Sequence, residues 1–587
     1  MAQTRPLKVF AFDPSLGRQY GNVMTVGVDQ EDLKPGPRGR LLEVIDFDVS
    51  NDCYYPPVDL DARKVLLQGG LTPSENDPQF HQQMVYAVAS RTIEHFELAL
   101  GRKVRWSRKR KGSTRDRARP LRIFPHAMQD ANAYYDPRQH ALLFGYFAAS
   151  EKEAGSSLPG QTVYTCLSHD IIAHETTHAL IHDIRSHFME ATGEDTLAFH
   201  EAFADIVALF QHFTFKDALL DHIQRTGGVL YRALTPTVAT RGATPAIGAE
   251  EPGKNMLVGL AQQFGEAMGM RAALRSALGS PRDSRELGLL FEPHQRGAIL
   301  VAAVFDAFFS AYSRRMADLL RIARPGGMGP TAELGLELAD RLAGEAAKTA
   351  GHFLNMCVRA LDYCPPVDIT FGDFLRAVIT ADMDLVPDDD RGYRQDLIDA
   401  FRARGIRPGE ALSYSEEALR WDAPPQASRG KMKCAGLRFD VMHETSPAEL
   451  TANARLLHAF GERYGVPFHL KKGRKIEVAS FHPVARVSPD GQLKFQVVAE
   501  LLQQEEEPLY PERRKPTFVH RGGITLVLNG EDGSVRYAIY KRLASQRRKK
   551  AQQEFWHRWR ATSADAYHDD DEPLRADLAR IHRGWGY

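Results

Sequence analysis

Cysteine is scarce in this chain: there are five in 587 residues, at 53, 166, 357, 364 and 434, and no C-x-x-C among them. A sparse, odd-numbered set excludes a small disulfide-built scaffold and points to a reducing compartment, with Cys357 and Cys364 read as buried thiols more readily than as a pair. Net charge is absent as well. Lys plus Arg and Asp plus Glu each number 75, so no overall field draws the chain to nucleic acid or to an anionic membrane. No apolar run reaches the ~20 residues of a membrane span; the most apolar stretch, 297–312, is interrupted by Asp306. The start, M-A-Q-T-R-P-L-K-V-F, has no apolar signal segment, and the expectation is a cytoplasmic protein, with export by another route left open. No internal repeat or long low-complexity segment is apparent.

What is present is a concentration of metal-ligand residue types in the stretch S-H-D-I-I-A-H-E-T-T-H-A-L, 168–180. Four residues on a helix turn through about 400° and rise about 6 Å, so His174 and His178 project from one face and can close on a single cation. Glu175 lies beside them. H-E-x-x-H is the spacing of zinc hydrolases because the ion needs two neutral imidazoles and its water needs a carboxylate to take a proton. The next candidate is H-E-A-F-A-D, 200–205, leading into I-V-A-L-F on a second amphipathic helix. Glu201 supplies a third ligand, and Asp205, one turn later, can accept the remote N–H of a ligating imidazole. Two histidines, one glutamate and an open fourth position describe a catalytic ion and not a closed structural one. The metzincin alternative needs His at 184 and Gly at 181, where Ile184 and Ile181 stand. His182 reads as a helix-face histidine.

These motifs resemble those of the gluzincin metallopeptidases, specifically the thermolysin and fungalysin families. D-I-I-A-H-E-T-T-H-A-L is similar to their zinc helix, with Asp170 one turn before the first ligand, and H-E-A-F-A-D is similar to their glutamate helix. Asn132-Ala133-Tyr134-Tyr135, followed by A-L-L-F-G-Y-F, resembles the edge-strand segment that binds peptide backbone, and P-H-Q-R-G-A-I-L resembles the helix start carrying a transition-state histidine, here His294. The segments 371–382 and 393–406 are similar to the closing helices of the same lobe, so the likeness runs from about 120 to 408. The resemblance implies a two-lobed α+β zincin unit, one catalytic Zn2+ on His174, His178 and Glu201, Glu175 as general base, His294 as oxyanion donor, and Asp205 and Asp170 behind the ligands. Asn132 and Ala133 would bind the backbone of a peptide or protein substrate. The chain departs from the thermolysin pattern in having no tyrosine between 179 and 200, which leaves the oxyanion role vacant, or filled by His187 or by a residue from elsewhere, and Arg296 as an unsupported candidate for the substrate-carbonyl arginine.

The domain reading is 1–120, β-rich with one long helix (Asp77–Leu100); 121–410, catalytic; 411–430, a linker; and 431–587, a separate small α+β domain with a basic helical tail. In that last part a strand is expected at Leu437–Val441, a helix at Pro447–Tyr464, strands near 475–488 and 492–502, and a hairpin at 524–542 turning at Asp532-Gly533. A helix is expected near 255–269, within the Gly-, Pro- and Ala-rich stretch 227–293, and D-D-D-E-P is expected to form a mobile tail. The dense basic run 102–122 reads as a solvated loop, with a polynucleotide or acidic docking patch around Trp106 as the rival. The functional expectation is peptide-bond hydrolysis by a metal-activated water. The alternative is a catalytically silent gluzincin fold used for binding.

Overall fold

The computed structural model describes residues 4–12, 14, 22–106, 119–149, 158–217, 219–220, 283–323, 335–423, 432–439, 445–510, 517–562 and 578–582. The helix expected near 255–269, most of the basic run and the acidic tail lie outside them. The architecture is α+β.

Strands Thr4–Phe10 and Val23–Asp29 pair antiparallel, with Leu7 opposite Val26. Alternation buries Leu7, Val9, Met24, Val26 and Val28 on one face, which packs on the helix Pro78–Leu100. That helix starts where Asp77 accepts the amide of Gln79 at 3.0 Å and Pro78 presets φ. It stops at Gly101, whose φ of +68° suits a residue lacking Cβ.

A second sheet runs in the order Leu42–Val44, Leu121–Met128, Ala141–Ala148, Ala133–Asp136, with Thr162–Tyr164 also pairing Ala141–Ala148. The short strand Ala133–Asp136 is its edge, bonded to one neighbour with Ala133 opposite Phe144 and Tyr135 opposite Leu142. Behind this edge stand two buried helices, His169–Ile184 and Glu194–Phe213. Around them pack the helices Pro293–Ala323, Leu336–Ala360, Phe371–Leu385 and Tyr393–Ala403. Over Pro293–Ala317 the first of these is long and apolar enough for a membrane span, but most of it is buried in protein. Asp306, which interrupts its sequence, is bonded by Arg404 Nε at 2.8 Å.

The C-terminal region forms a four-stranded antiparallel meander, Glu477–Val487, Leu493–Pro508, Thr517–Asn529 and Val535–Lys541. One face covers the helix Pro447–Tyr464 through Leu457, Phe460, Leu501, Leu526 and Leu528. The other is continuous with the main core, where Phe518, Val527, Tyr537 and Ile539 join the helical part. The region read as a separate domain therefore shares core residues with the helical part. Asp362, fully buried, binds Arg102 at 2.7 Å and also Arg486 of the sheet. The Ala485 amide donates to the Gly101 carbonyl at 3.0 Å, an approach so close that a Cβ on Gly101 would lie 2.3 Å from the Ala485 oxygen.

Two expectations and one rival reading are corrected. Leu437–Phe439 form no strand: Asn453 on the neighbouring helix takes both the amide and the carbonyl of Arg438, at 2.9 and 2.7 Å, so no ladder is needed. Trp106 is not an exposed recognition ring. It is buried and donates to the Leu41 carbonyl at 2.8 Å. Trp421, within the expected linker, is anchored by a bond to the Tyr363 carbonyl at 2.9 Å and by Arg376 stacked 3.9 Å above its ring. Cys357 and Cys364 are both buried free thiols.

Candidate metal centre

The helix His169–Ile184 begins at Ser168, whose hydroxyl accepts the amide of Ile171. Its four-residue step then stacks His174 and His178 on one face, both fully buried. The helix Glu194–Phe213 repeats the step with Glu201 and Asp205, each 1% exposed. Aromatic contacts fix the second helix: Phe199 meets Phe188 at 5.6 Å and Phe374 at 5.1 Å between ring centres. On its other side, Gly297 lets the helix Pro293–Ala323 approach until a Cβ would be 3.0 Å from the Ala198 oxygen.

Four side chains converge between these helices: His174, His178, Glu201 and His582. His174 Nε2 and His178 Nε2 are 2.8 Å apart. Each lies 3.5 Å from Glu201 Oε2, and His582 Nε2 lies 3.3 Å from the same oxygen. Four donors held 2.0–2.1 Å from one zinc ion at tetrahedral angles are about 3.3 Å from one another, so these separations fit such an ion. The outward nitrogens are committed elsewhere. His174 Nδ1 faces Asp205 Oδ1 at 2.8 Å, His178 Nδ1 faces His200 Nδ1 at 2.7 Å, and His582 Nδ1 faces the Ala133 carbonyl at 2.9 Å. This is the tautomer arrangement of metal-ligating imidazoles, with the remote nitrogen oriented by a partner and the near one turned inward.

Glu175, Glu201 and Asp205 bring three buried carboxylates together, and buried charge demands compensation. Burial opposes protonation of His174, but Asp205 and Glu201 outweigh it and raise the ring to about 9. Burial likewise opposes protonation of His582, which Glu175 and Glu201 raise to about 10. His178 is pushed down to about 3 by burial. Burial alone would raise Glu201, but His178 and His582 hold it well below the usual carboxylate range. A cation on the inward nitrogens supplies the same balancing charge as protons on His174 and His582.

The remaining predicted residues fall as follows. Glu175 is fully buried, with Oε2 accepting the Tyr135 amide of the edge strand at 2.8 Å and Oε1 3.3 Å from His582 Nδ1. Asn132, whose carbonyl accepts from Gly145 at 2.9 Å, donates its side-chain amide to the Ala579 carbonyl at 3.1 Å. Ala133 presents its carbonyl to His582. His294, at the start of its helix, brings Nδ1 to 3.8 Å from Glu201 Oε2. Asp170 stands apart from the four donors: it pairs with His212 at 3.0 Å and His169 at 3.3 Å. Arg296 is turned to Asp195, at 2.7 Å, and to the Leu287 and Leu290 carbonyls. His187 is bonded to Glu190 at 2.9 Å. His182 accepts from or donates to the Tyr135 hydroxyl at 2.9 Å.

Sequence reasoning missed His582, Tyr135 and His200. His582 carries no local signal, since it is one of 22 histidines and has no partner at helical spacing. His200 precedes Glu201 directly, and its ring stacks on His178 at 4.8 Å. Comparison of the chain with models of known protein families and with characterised proteins returns no match.

Proposed function

We propose that the chain is a zinc metallopeptidase with a thermolysin-like two-lobed catalytic unit. The observation that carries the reading is the pairing of a metal-shaped donor set with a buried carboxylate that does not belong to it. His174, His178 and Glu201 come from two long helices, while Glu175 is directed at the edge strand, held by the Tyr135 amide. A closed structural site has no use for such a group, and burying it is costly.

Zn2+, when bound by His174, His178 and Glu201, supplies a Lewis acid that polarises a carbonyl and makes water acidic. Glu175 takes the proton of the attacking water and passes it to the departing amine. The Tyr135 amide fixes the carboxylate for that task. Asp205 holds the His174 tautomer. Asn132 and the backbone of the Ala133 strand, which pairs with one neighbouring strand among the described residues, bind an extended peptide as an added strand. His294 donates to the oxyanion that develops on the scissile carbonyl.

One observation favours a second reading, a closed structural ion in a silent binding protein: His582 is a fourth protein donor. A mixed peptide library separates the two. Cleavage that is abolished by Glu175→Gln, with ion content unchanged, supports the peptidase. An ion-loaded chain that cleaves nothing, even with His582 replaced, supports the closed site.

A further inference from the structure

Residues 578–582 lie against the candidate site described above. Their helix is a single turn, Leu578–Ile581, with Leu578 buried in the main core. The Ala579 carbonyl accepts from the Asn132 amide, His582 Nδ1 donates to the Ala133 carbonyl, and His582 Nε2 joins the donor set. Each contact uses a group that the peptidase reading assigns to substrate or to the open position of the ion. We propose that this segment is an intrinsic inhibitor of the site, with His582 as a displaceable fourth ligand, so that the chain is latent until the segment withdraws. This rests on the peptidase reading. The test compares full-length wild type, His582→Ala and Leu578→Asp, measuring peptide-library cleavage and the visible absorption of the Co2+-loaded protein. Expected are an unchanged ion content, a changed Co2+ spectrum in both variants, and a rise in cleavage of about tenfold or more, as when a closed form outweighs an open one by that ratio. Wild type cleaving as fast as both variants overturns the inhibitor and leaves the peptidase standing. No cleavage by any form, with a Co2+ spectrum that still changes, keeps His582 as a ligand and removes the peptidase reading. An unchanged spectrum without cleavage overturns the proposal.

A different observation carries a second inference, independent of that function. His81, His126 and Cys166 form another buried cluster, at the sheet end of the helix Pro78–Leu100. His126 Nδ1 is 2.6 Å from Asp46 Oδ1, and Asp46 is itself fixed by Gln82 Nε2 at 2.8 Å. His81 Nε2 is 3.0 Å from the Glu75 carbonyl. Both outer partners are acceptors, so the outer nitrogens carry the hydrogens. The inner pair, His81 Nδ1 and His126 Nε2, then face each other at 2.9 Å lone pair to lone pair. The pattern repeats that of His174 and His178, and the Cys166 sulfur, within 4.8 Å of a ring nitrogen of each histidine, completes a set of two imidazoles and a thiolate suited to zinc or copper. We infer a second, buried metal site on His81, His126 and Cys166. Elemental analysis for zinc and copper is made on His174→Ala/His178→Ala and on the same chain with His126→Ala, with circular dichroism to establish folding. The double variant is expected to keep one ion and the triple variant none. A folded double variant free of metal overturns the site. Should the variants not fold, Cd2+ binding to the wild-type chain decides: an ultraviolet thiolate-to-cadmium band lost in Cys166→Ser supports it, and its absence from wild type overturns it.

Discussion

His294 Nδ1 lies 3.8 Å from Glu201 Oε2, bringing the first turn of one long helix against the carboxylate of another. The Glu292 carboxylate accepts the His294 and Gln295 amides at 3.1 and 2.8 Å and so sets where that helix begins. In the proposed peptidase, a donor beside the ion but outside its ligands would act on the transition state. His294→Ala is expected to lower kcat about 10²- to 10³-fold without changing ion content. Peptide cleavage beside elemental analysis checks this, and loss of the ion would make His294 structural.

Asp205 acts through His174, at 2.8 Å. Removing a carboxylate that orients a ligating imidazole commonly weakens metal binding about 10- to 100-fold. Asp205→Ala is expected to lose zinc to a chelator at correspondingly lower concentration than wild type, as read by competition with a metal-sensitive dye.

The C-terminal sheet is held to the helical part through Asp362, where Arg102 and Arg486 meet on one buried carboxylate. Removing one partner of such a group strands buried charge, and Asp362→Ala should cost about 3–5 kcal/mol. Urea unfolding followed by fluorescence measures it. A separate C-terminal domain would instead unfold on its own, leaving the main transition where it was.

Asp170 is one source of acid sensitivity. Burial alone would raise this carboxyl, but His212 and His169 hold it at about 2, against an ordinary 3.8. A depressed carboxylate contributes stability that is fully present above pH 3.8 and lost as pH falls through about 2. The difference corresponds to roughly 2 kcal/mol. Asp170→Asn is expected to flatten the decline in unfolding free energy between pH 4 and 2. A decline as steep as that of wild type would assign it to other groups.

Much of the site was legible because helical periodicity is local. The steps His174 to His178 and Glu201 to Asp205 each put two groups on one face, and each pair needs only its own helix to be aligned. Asn132 and Ala133 entered only through the family resemblance, since the turn and strand signals around them fit an ordinary hairpin equally well. His582 was not legible, because its position depends on a single turn docking against residues hundreds of positions away. The rival reading of a docking patch around Trp106 fails because that ring packs inward. Hydrophobic pattern also misled. The strands from Glu477 onward alternate as an independent sheet would, but both of their faces are covered, which composition cannot distinguish from a face left to solvent.

The central claim is that His174, His178 and Glu201 hold one ion, and zinc content per chain in wild type against Glu201→Ala tests it most directly. The account predicts a loss of one zinc per chain in the folded variant; equal zinc in the two proteins would contradict it.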